Sequence, residues 1–309
     1  MRILLSNQTL SLLAGSETAT YTMAVELKRL GHEVSAFSFH LGAVSDKLKE
    51  AGIEVMDNLE GKRDAFDLVF ANHFDPTCYV KAKCPNTLIV FTIHGIIGGP
   101  ETPPLFCDAY VAVSEEVKEL MKKQYNIDCH IIRNAVDLER FKETKPRDPE
   151  IKNVLLSSSY YGQGSETFQK IFDACAVMNA TVHATGKNFK WLWGIEEIYN
   201  NVDLVITLGR GCLEAMACNR PAIVIGHWGK NQELSSDGII TDKSIEKIRT
   251  CNFSSRAIRN EIGTKEIVDL IDAVKKHGRD YDYRKLVNKD HDIKNSVSQY
   301  LDIAAELII

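Results

Sequence analysis

The stretch Asp203-Leu204-Val205-Ile206-Thr207-Leu208-Gly209-Arg210-Gly211-Cys212-Leu213-Glu214-Ala215-Met216-Ala217-Cys218-Asn219-Arg220-Pro221 changes character twice. The apolar run from Leu204 to Leu208 predicts a buried strand. Gly209-Arg210-Gly211 predicts a tight turn, followed by a short helix that carries one carboxylate, Glu214. Pro221 stops that helix, and Ala222 to Ile225 open another apolar strand. Strand, glycine turn, helix and strand make a βαβ unit. The loop leaves backbone N–H groups at a helix N-terminus, where a phosphate group can sit. The same pattern also serves as a plain packed crossover, so its function has to be argued from the rest of the chain.

The chain has 309 residues, long for one α/β domain and natural for two. Apolar residues make up 44% and charged residues 26%, the balance of a water-soluble globular protein. A net charge of −5 argues against a nucleic-acid binder that uses its whole surface. No apolar stretch is long enough to span a bilayer, and Met1-Arg2-Ile3-Leu4-Leu5-Ser6 turns polar too early for a signal peptide. The expected location is cytoplasmic. The eight cysteines form no C-x-x-C pair and mostly sit beside apolar residues. They are expected to be reduced core thiols rather than zinc ligands or disulfides.

Short β-branched runs alternate with helical patterns along the chain. Ile3–Ser6, Glu33–Phe37, Leu68–Ala71, Leu88–Ile93, Ala109–Val113 and His130–Ile132 read as strands. Ser16 to Leu30 reads as an amphipathic helix stopped at Gly31, and Ser114 caps a second that runs to about Gln124. Residues 141–150 are charged and carry two prolines, which predicts an interdomain linker. A second βα series follows: strand Val154–Ser157, helix Glu166–Met178, strand Ala180–His183, helix Lys190–Tyr199, then the Leu204 strand. From Ser244 the pattern is mostly helical. The expected architecture is α/β, with two Rossmann-like domains whose parallel sheets face a central cleft, residues 1–145 and 146–309, the second ending in a helical tail. Ligands bind at the carboxyl ends of the strands of such sheets.

Several segments resemble the large GT-B family of retaining glycosyltransferases, group 1 or family 4-like. These are Ala14-Gly15-Ser16-Glu17, Gly31-His32-Glu33-Val34, Asp67-Leu68-Val69-Phe70-Ala71-Asn72-His73 and Phe91-Thr92-Ile93-His94-Gly95. Asp108 to Ser114, then Asn134-Ala135-Val136-Asp137 with Phe141, and Leu213-Glu214-Ala215-Met216-Ala217-Cys218 with Pro221 continue the series in order. The resemblance implies transfer of a sugar from a nucleotide-diphosphate sugar, with retention of configuration and without a metal. The nucleotide sugar is a co-substrate, and no cofactor is implied. The acceptor is expected to be a glycan, a lipid-linked molecule or a small molecule rather than nucleic acid, with peripheral membrane contact as an open option. No stable protein partner is implied.

This chain departs from the family pattern where Asn219 replaces the usual glycine after Ala217-Cys218, and at two places that bear on the donor. The family carries a second glutamate eight residues before Glu214, where Ile206 stands here. It also carries Arg and Lys after the first strand of the second domain, whereas Leu155 to Gly164 holds no basic residue. Arg210 or Lys187 are the candidates to supply that charge to the diphosphate. Gly15 and Gly211 are expected to let phosphate approach the backbone. Glu214 is expected to accept both ribose hydroxyls. His94, at a strand end beside glycines, is the expected catalytic residue that hydrogen-bonds the transferred sugar. His73, His227 and Trp228 are candidate cleft residues. Glu17 reads as a plain helix-dipole carboxylate. Two alternatives stand beside the transferase: a non-catalytic nucleotide-sugar-binding relative, and a nucleotide-sugar 2-epimerase.

Overall fold

The computed structural model describes residues 1–158, 164–186, 192–228, 233–288 and 290–308. Within the first part, strands β1 (Arg2–Leu10), β2 (Glu33–Leu41), β3 (Glu54–Met56), β4 (Leu68–Asn72), β5 (Leu88–Ile93), β6 (Ala109–Ala112) and β7 (His130–Ile131) alternate with helices. These helices are α1 (Gly15–Arg29), α2 (Ala43–Glu50), α3 (Phe74–Lys83) and α4 (Glu115–Tyr125). The sheet order is β3-β2-β1-β4-β5-β6-β7, and every pairing is parallel. The chain leaves β1 in one direction and returns through β4 in the other. The switch point of this doubly wound sheet therefore lies between β1 and β4.

The second part contains β8 (Asn153–Ser158), α5 (Glu166–Val177), β9 (Thr181–Gly186), α6 (Ile195–Tyr199), β10 (Leu204–Thr207), α7 (Arg210–Ala217) and β11 (Ala222–Trp228). Then come β12 (Glu233–Ile239), α8 (Ile245–Arg249), β13 (Asn260–Glu261), α9 (Thr264–Lys276) and finally α10 (Ile293–Ile308). The order β13-β12-β11-β10-β8-β9 puts the second switch point between β8 and β10. This sheet is not wholly parallel as expected: β12 pairs antiparallel with β11, and β13 antiparallel with β12. The polar run Glu233-Leu234-Ser235-Ser236-Asp237 carries little strand signal. Ser236 is stabilised there because its hydroxyl donates to the Val224 carbonyl at 2.7 Å, beside a register shift between Val224 and Ile225.

The two parallel cores have apolar strands buried on both faces. Ile3, Leu5 and Phe70 face α1 and α10, while Leu4, Val69 and Phe91 face α3 and α4 with Val80 and Val117. In the second unit Val205 packs on Leu213 and Met216 of α7, and Ile206 packs with Ile171 and Ile267 from α5 and α9.

The units divide differently from the expected 1–145 and 146–309. One comprises Met1–Ala135 with Ile293–Ile309, the other Val136–Asp292. The tail helix α10 belongs to the first unit because its apolar stripe, Ile293, Val297, Tyr300 and Ile303, completes that core. Tyr300 meets Phe70 edge-to-face at 5.2 Å, and its hydroxyl lies 3.0 Å from that of Thr92. Residues 141–150, expected as a linker, are fastened to the second unit. Arg147 donates to the carbonyls of Asn219, Gly278 and Tyr281, Arg220 to that of Lys145, and Arg284 to those of Leu138 and Phe141. Charge and proline content signalled an irregular path, but buried arginines keep that path attached. All eight cysteines are free thiols, as expected.

Candidate functional site

In the second unit, Thr207 closes β10 and its hydroxyl donates to the Ser157 carbonyl of β8 at 2.7 Å, bridging the strands that flank the switch point. Gly209 then takes φ +61°, a conformation that favours glycine, and its N–H donates to Phe253 at 2.8 Å. The turn starts α7 beside the switch point, with the helix N-terminus there for an anion. Gly211 has a packing reason to lack a side chain: a Cβ would lie 2.4 Å from Thr207 Oγ1. Its glycine requirement is therefore set by helix-to-strand packing, whatever else approaches its backbone.

Arg210 and Glu214 stand four residues apart on α7, their charged atoms 3.5 Å apart, with side chains only 9% and 14% exposed. The Tyr199 hydroxyl, at the end of α6, donates to Glu214 Oε2 at 3.2 Å. Burial raises the proton affinity of Glu214, opposed by the charges of Arg210 and Arg140. The same burial lowers that of Arg210. Arg210, the expected cation for the diphosphate, is thus nearly buried. It runs along α7 and pairs with the carboxylate expected to receive ribose. A carboxylate has about four lone-pair sites, so these two donors leave acceptor capacity for sugar hydroxyls.

Arg140 is the residue sequence reasoning missed. Its guanidinium sits 4.5 Å from the Trp193 ring centre and 5.0 Å from that of Phe141, and it donates to Glu196 at 2.9 Å. Its charge also acts on both Glu214 and Arg210. A signal was available: Arg140 lies inside the run from Asn134 to Phe141 that carried the family resemblance. Ile206, at the position of the family's absent glutamate, is fully buried in β10. His227, near the end of β11, bonds through Nε2 to Thr167 in the first turn of α5. Lys187 and the Trp228 side chain lie outside the described residues.

In the first unit a polar network occupies the carboxyl edge at the switch between β1 and β4. Asn7 of β1 donates to the Thr20 hydroxyl of α1 at 3.0 Å. Asn72, the last residue of β4, donates to the Ser6 carbonyl at 3.1 Å. That orients the Asn72 amide so that its oxygen accepts from His94 Nε2 at 2.7 Å. His94 follows β5 directly, and its backbone N–H donates to Glu101 at 2.7 Å. His73, after β4, has φ +67° and ψ +147°, unusual for a residue with a side chain. The Gln8 N–H donates to its Nδ1 at 3.3 Å, and its Nε2 lies 3.7 Å from Glu101. The structure thus brings His73 and His94 together through Glu101, which the sequence did not single out.

Gly15 begins α1 at the same edge. Its φ is not positive and a Cβ would meet nothing within 4 Å, so the fold does not demand glycine there. Glu17, expected as a plain helix-dipole carboxylate, lies in the first turn of α1. It is 5% exposed, accepts from Ser16 at 2.8 Å, and burial raises its proton affinity.

Both units thus place polar, titratable side chains at the carboxyl edge of a doubly wound sheet. Solved structures share the fold over nearly the whole chain. HepE from Anabaena in complex with UDP-glucose aligns at TM-score 0.69 and 14% identity, covering 99% of this chain and 100% of its own. The fold is GT-B. A glycosyltransferase from Rickettsia africae ESF-5 aligns at 0.66 and 16% identity, covering 99% and 98%. The lipopolysaccharide outer core galactosyltransferase WaaB, in its apo form, aligns at 0.60 and 13%, covering 99% of both chains. Residues 13–140 of this GT-B chain match the sequence model of Glycosyltransferase Family 4. The expected GT-B fold is thereby upheld over the chain, and the family 4 resemblance is matched over residues 13–140. No curated protein matches the chain in sequence. No helix among the described residues is long and apolar enough to cross a membrane.

Proposed function

We propose that this chain is a glycosyltransferase that moves a sugar from a nucleoside-diphosphate sugar to a glycan, lipid-linked or small-molecule acceptor, with retention and without a metal. The observation that carries the reading is the nearly buried Glu214 carboxylate beside the N-terminus of α7, with Tyr199 and Arg210 already bound to it. Glu214 would accept the ribose hydroxyls. The first turn of α7 would face the diphosphate, its N–H dipoles fixed before the reaction and aimed where negative charge grows as the sugar–phosphate bond breaks. The acceptor oxygen forms the new glycosidic bond, and its proton passes to the leaving diphosphate, so no protein base is required. His94 would orient the sugar. HepE was crystallised with UDP-glucose, with UDP and glucose, and with UDP, which makes UDP the first nucleotide to try.

Calorimetric titration with UDP tests the site. Glu214→Ala is expected to weaken binding by about 1.5–3 kcal/mol, roughly ten- to a hundredfold. Equal affinity in a folded variant would leave α7 with a structural role only. A second reading, binding without catalysis, is favoured by one observation: the buried Ile206 stands where a donor-sugar carboxylate would be. Tight UDP binding with no turnover of any nucleotide sugar, in a panel of UDP-, GDP-, ADP- and dTDP-sugars, would select that reading.

A further inference from the structure

We propose that Glu101 is the positioning residue of the first unit, its carboxylate clamping the backbone of His94 and Gly95 while facing the ring of His73. The step it serves rests on the glycosyl-transfer reading above; the clamp itself does not. The His94 N–H donates to Oε2 at 2.7 Å, and the Gly95 N–H bonds to the same carboxylate. On the other side His73 Nε2 stands 3.7 Å from Oε1. Because the Gln8 N–H donates to His73 Nδ1, a neutral His73 ring carries its proton on Nε2, the atom turned toward Glu101. His94 is therefore held at two points: Asn72 takes its Nε2 proton, and Glu101 takes its backbone proton. A second tie brings the turn back to β4, since the Phe74 N–H donates to the Pro100 carbonyl, next to Glu101, at 2.9 Å. The turn that begins at His94 thus leaves β5, returns to the end of β4, and meets both histidines through one side chain.

The carboxylate is 17% exposed. Burial raises its pKa to about 7, against the pull of the two N–H donors. Among the described residues the His73 ring, after β4, faces it across 3.7 Å, while His94, after β5, meets it through the backbone N–H. Burial lowers the pKa of His73, which favours its uncharged ring, while that of the Glu101 carboxyl is raised into the neutral range. Ionised, it is the stronger acceptor for the two N–H groups. Protonated, it loosens them. The step that depends on His94 is therefore expected to accelerate as pH rises through about 7.

Histidine-ring NMR of the full chain between pH 5.5 and 8.5, paired with UDP-glucose turnover, tests both halves. The His73 and His94 ring signals are expected to share an inflection near 7, to lose it in Glu101→Gln and to keep it in Glu101→Asp. Turnover of UDP-glucose to UDP is expected to drop about tenfold or more in Glu101→Gln at pH 8 with KM little changed, and to lose its rise between pH 6 and 8. Unaltered His94 ring signals in Glu101→Gln overturn the clamp. Altered ring signals with native turnover and pH profile overturn the positioning role. A native chain that neither binds UDP nor turns over UDP-glucose counts against the glycosyl-transfer reading, and the ring signals still decide the clamp.

Discussion

Glu101→Gln should make this protein more stable in alkaline solution than in acid, relative to the native chain. The carboxyl has an ordinary pKa of 4.5 when unfolded and about 7 in place. Below pH 4.5 both states hold the proton, and the shift takes nothing from stability. Between 4.5 and 7 the unfolded chain ionises while the folded chain keeps its proton, so native stability falls as pH rises. Beyond about 7 both states are ionised and the loss is complete. At about 1.4 kcal/mol per pH unit, the loss across that window comes to roughly 3 kcal/mol. Glutamine carries no such proton, and its hydrogen-bonding differences add an offset that pH does not move. Urea unfolding of both chains at pH 5, 6, 7 and 8 measures the gap. It should widen by roughly 3 kcal/mol across the window, almost all of it by pH 8. A gap that stays constant with pH would refute the reasoning, because it would mean the carboxyl titrates alike in folded and unfolded chains.

Three further outcomes follow from the geometry of the two sheet edges. Gly15→Val should leave the thermal midpoint nearly unchanged, since φ is not positive and the Cβ site is open, yet abolish turnover; full turnover would remove phosphate or sugar approach from that position. Gly211→Ala should lower stability by about 1–3 kcal/mol in urea titrations, because the Cβ meets Thr207 Oγ1 at 2.4 Å; a neutral result would contradict the packing role. His94→Ala should reduce turnover at least tenfold while UDP affinity stays within about twofold, with the product's anomeric configuration read by NMR; an inverted product would remove the retaining mechanism.

The βα rhythm was legible because strands such as Leu68–Asn72 and Leu88–Ile93 are buried on both faces and therefore read as continuous apolar runs. The Ser114 cap was legible for a local reason: its hydroxyl accepts from the Val117 N–H of its own helix. What failed needed long-range knowledge. The stripe on α10 identifies an amphipathic helix but not the sheet it covers, and its partners Ile3, Leu5 and Phe70 lie more than two hundred residues away. The strand Glu233–Ile239 is polar, and it forms because β11 offers it an edge.

The site divides along the same line. Glu214 and Gly209 lie within one βα turn, where spacing along the chain is also proximity in space, so the sequence reached them. Arg140 reaches the same cluster from before β8, and no local pattern announces that a cation will lie over Trp193. Glu101 is harder still, since nothing in Gly98-Gly99-Pro100-Glu101-Thr102 distinguishes it from a solvated loop carboxylate. Its burial comes from three separate strand ends: β1 supplies the Gln8 N–H that sets the His73 tautomer, β4 supplies Asn72 and His73, and β5 supplies His94. Because the switch point separates β1 from β4 in sequence while joining them in space, it gathers groups whose chain neighbours carry no trace of the meeting. A carboxylate drawn into that meeting loses water without gaining a full cation, and the raised pKa follows. The protonation of Glu101 is thus a property of the topology, and the pH dependence expected of the first unit originates there.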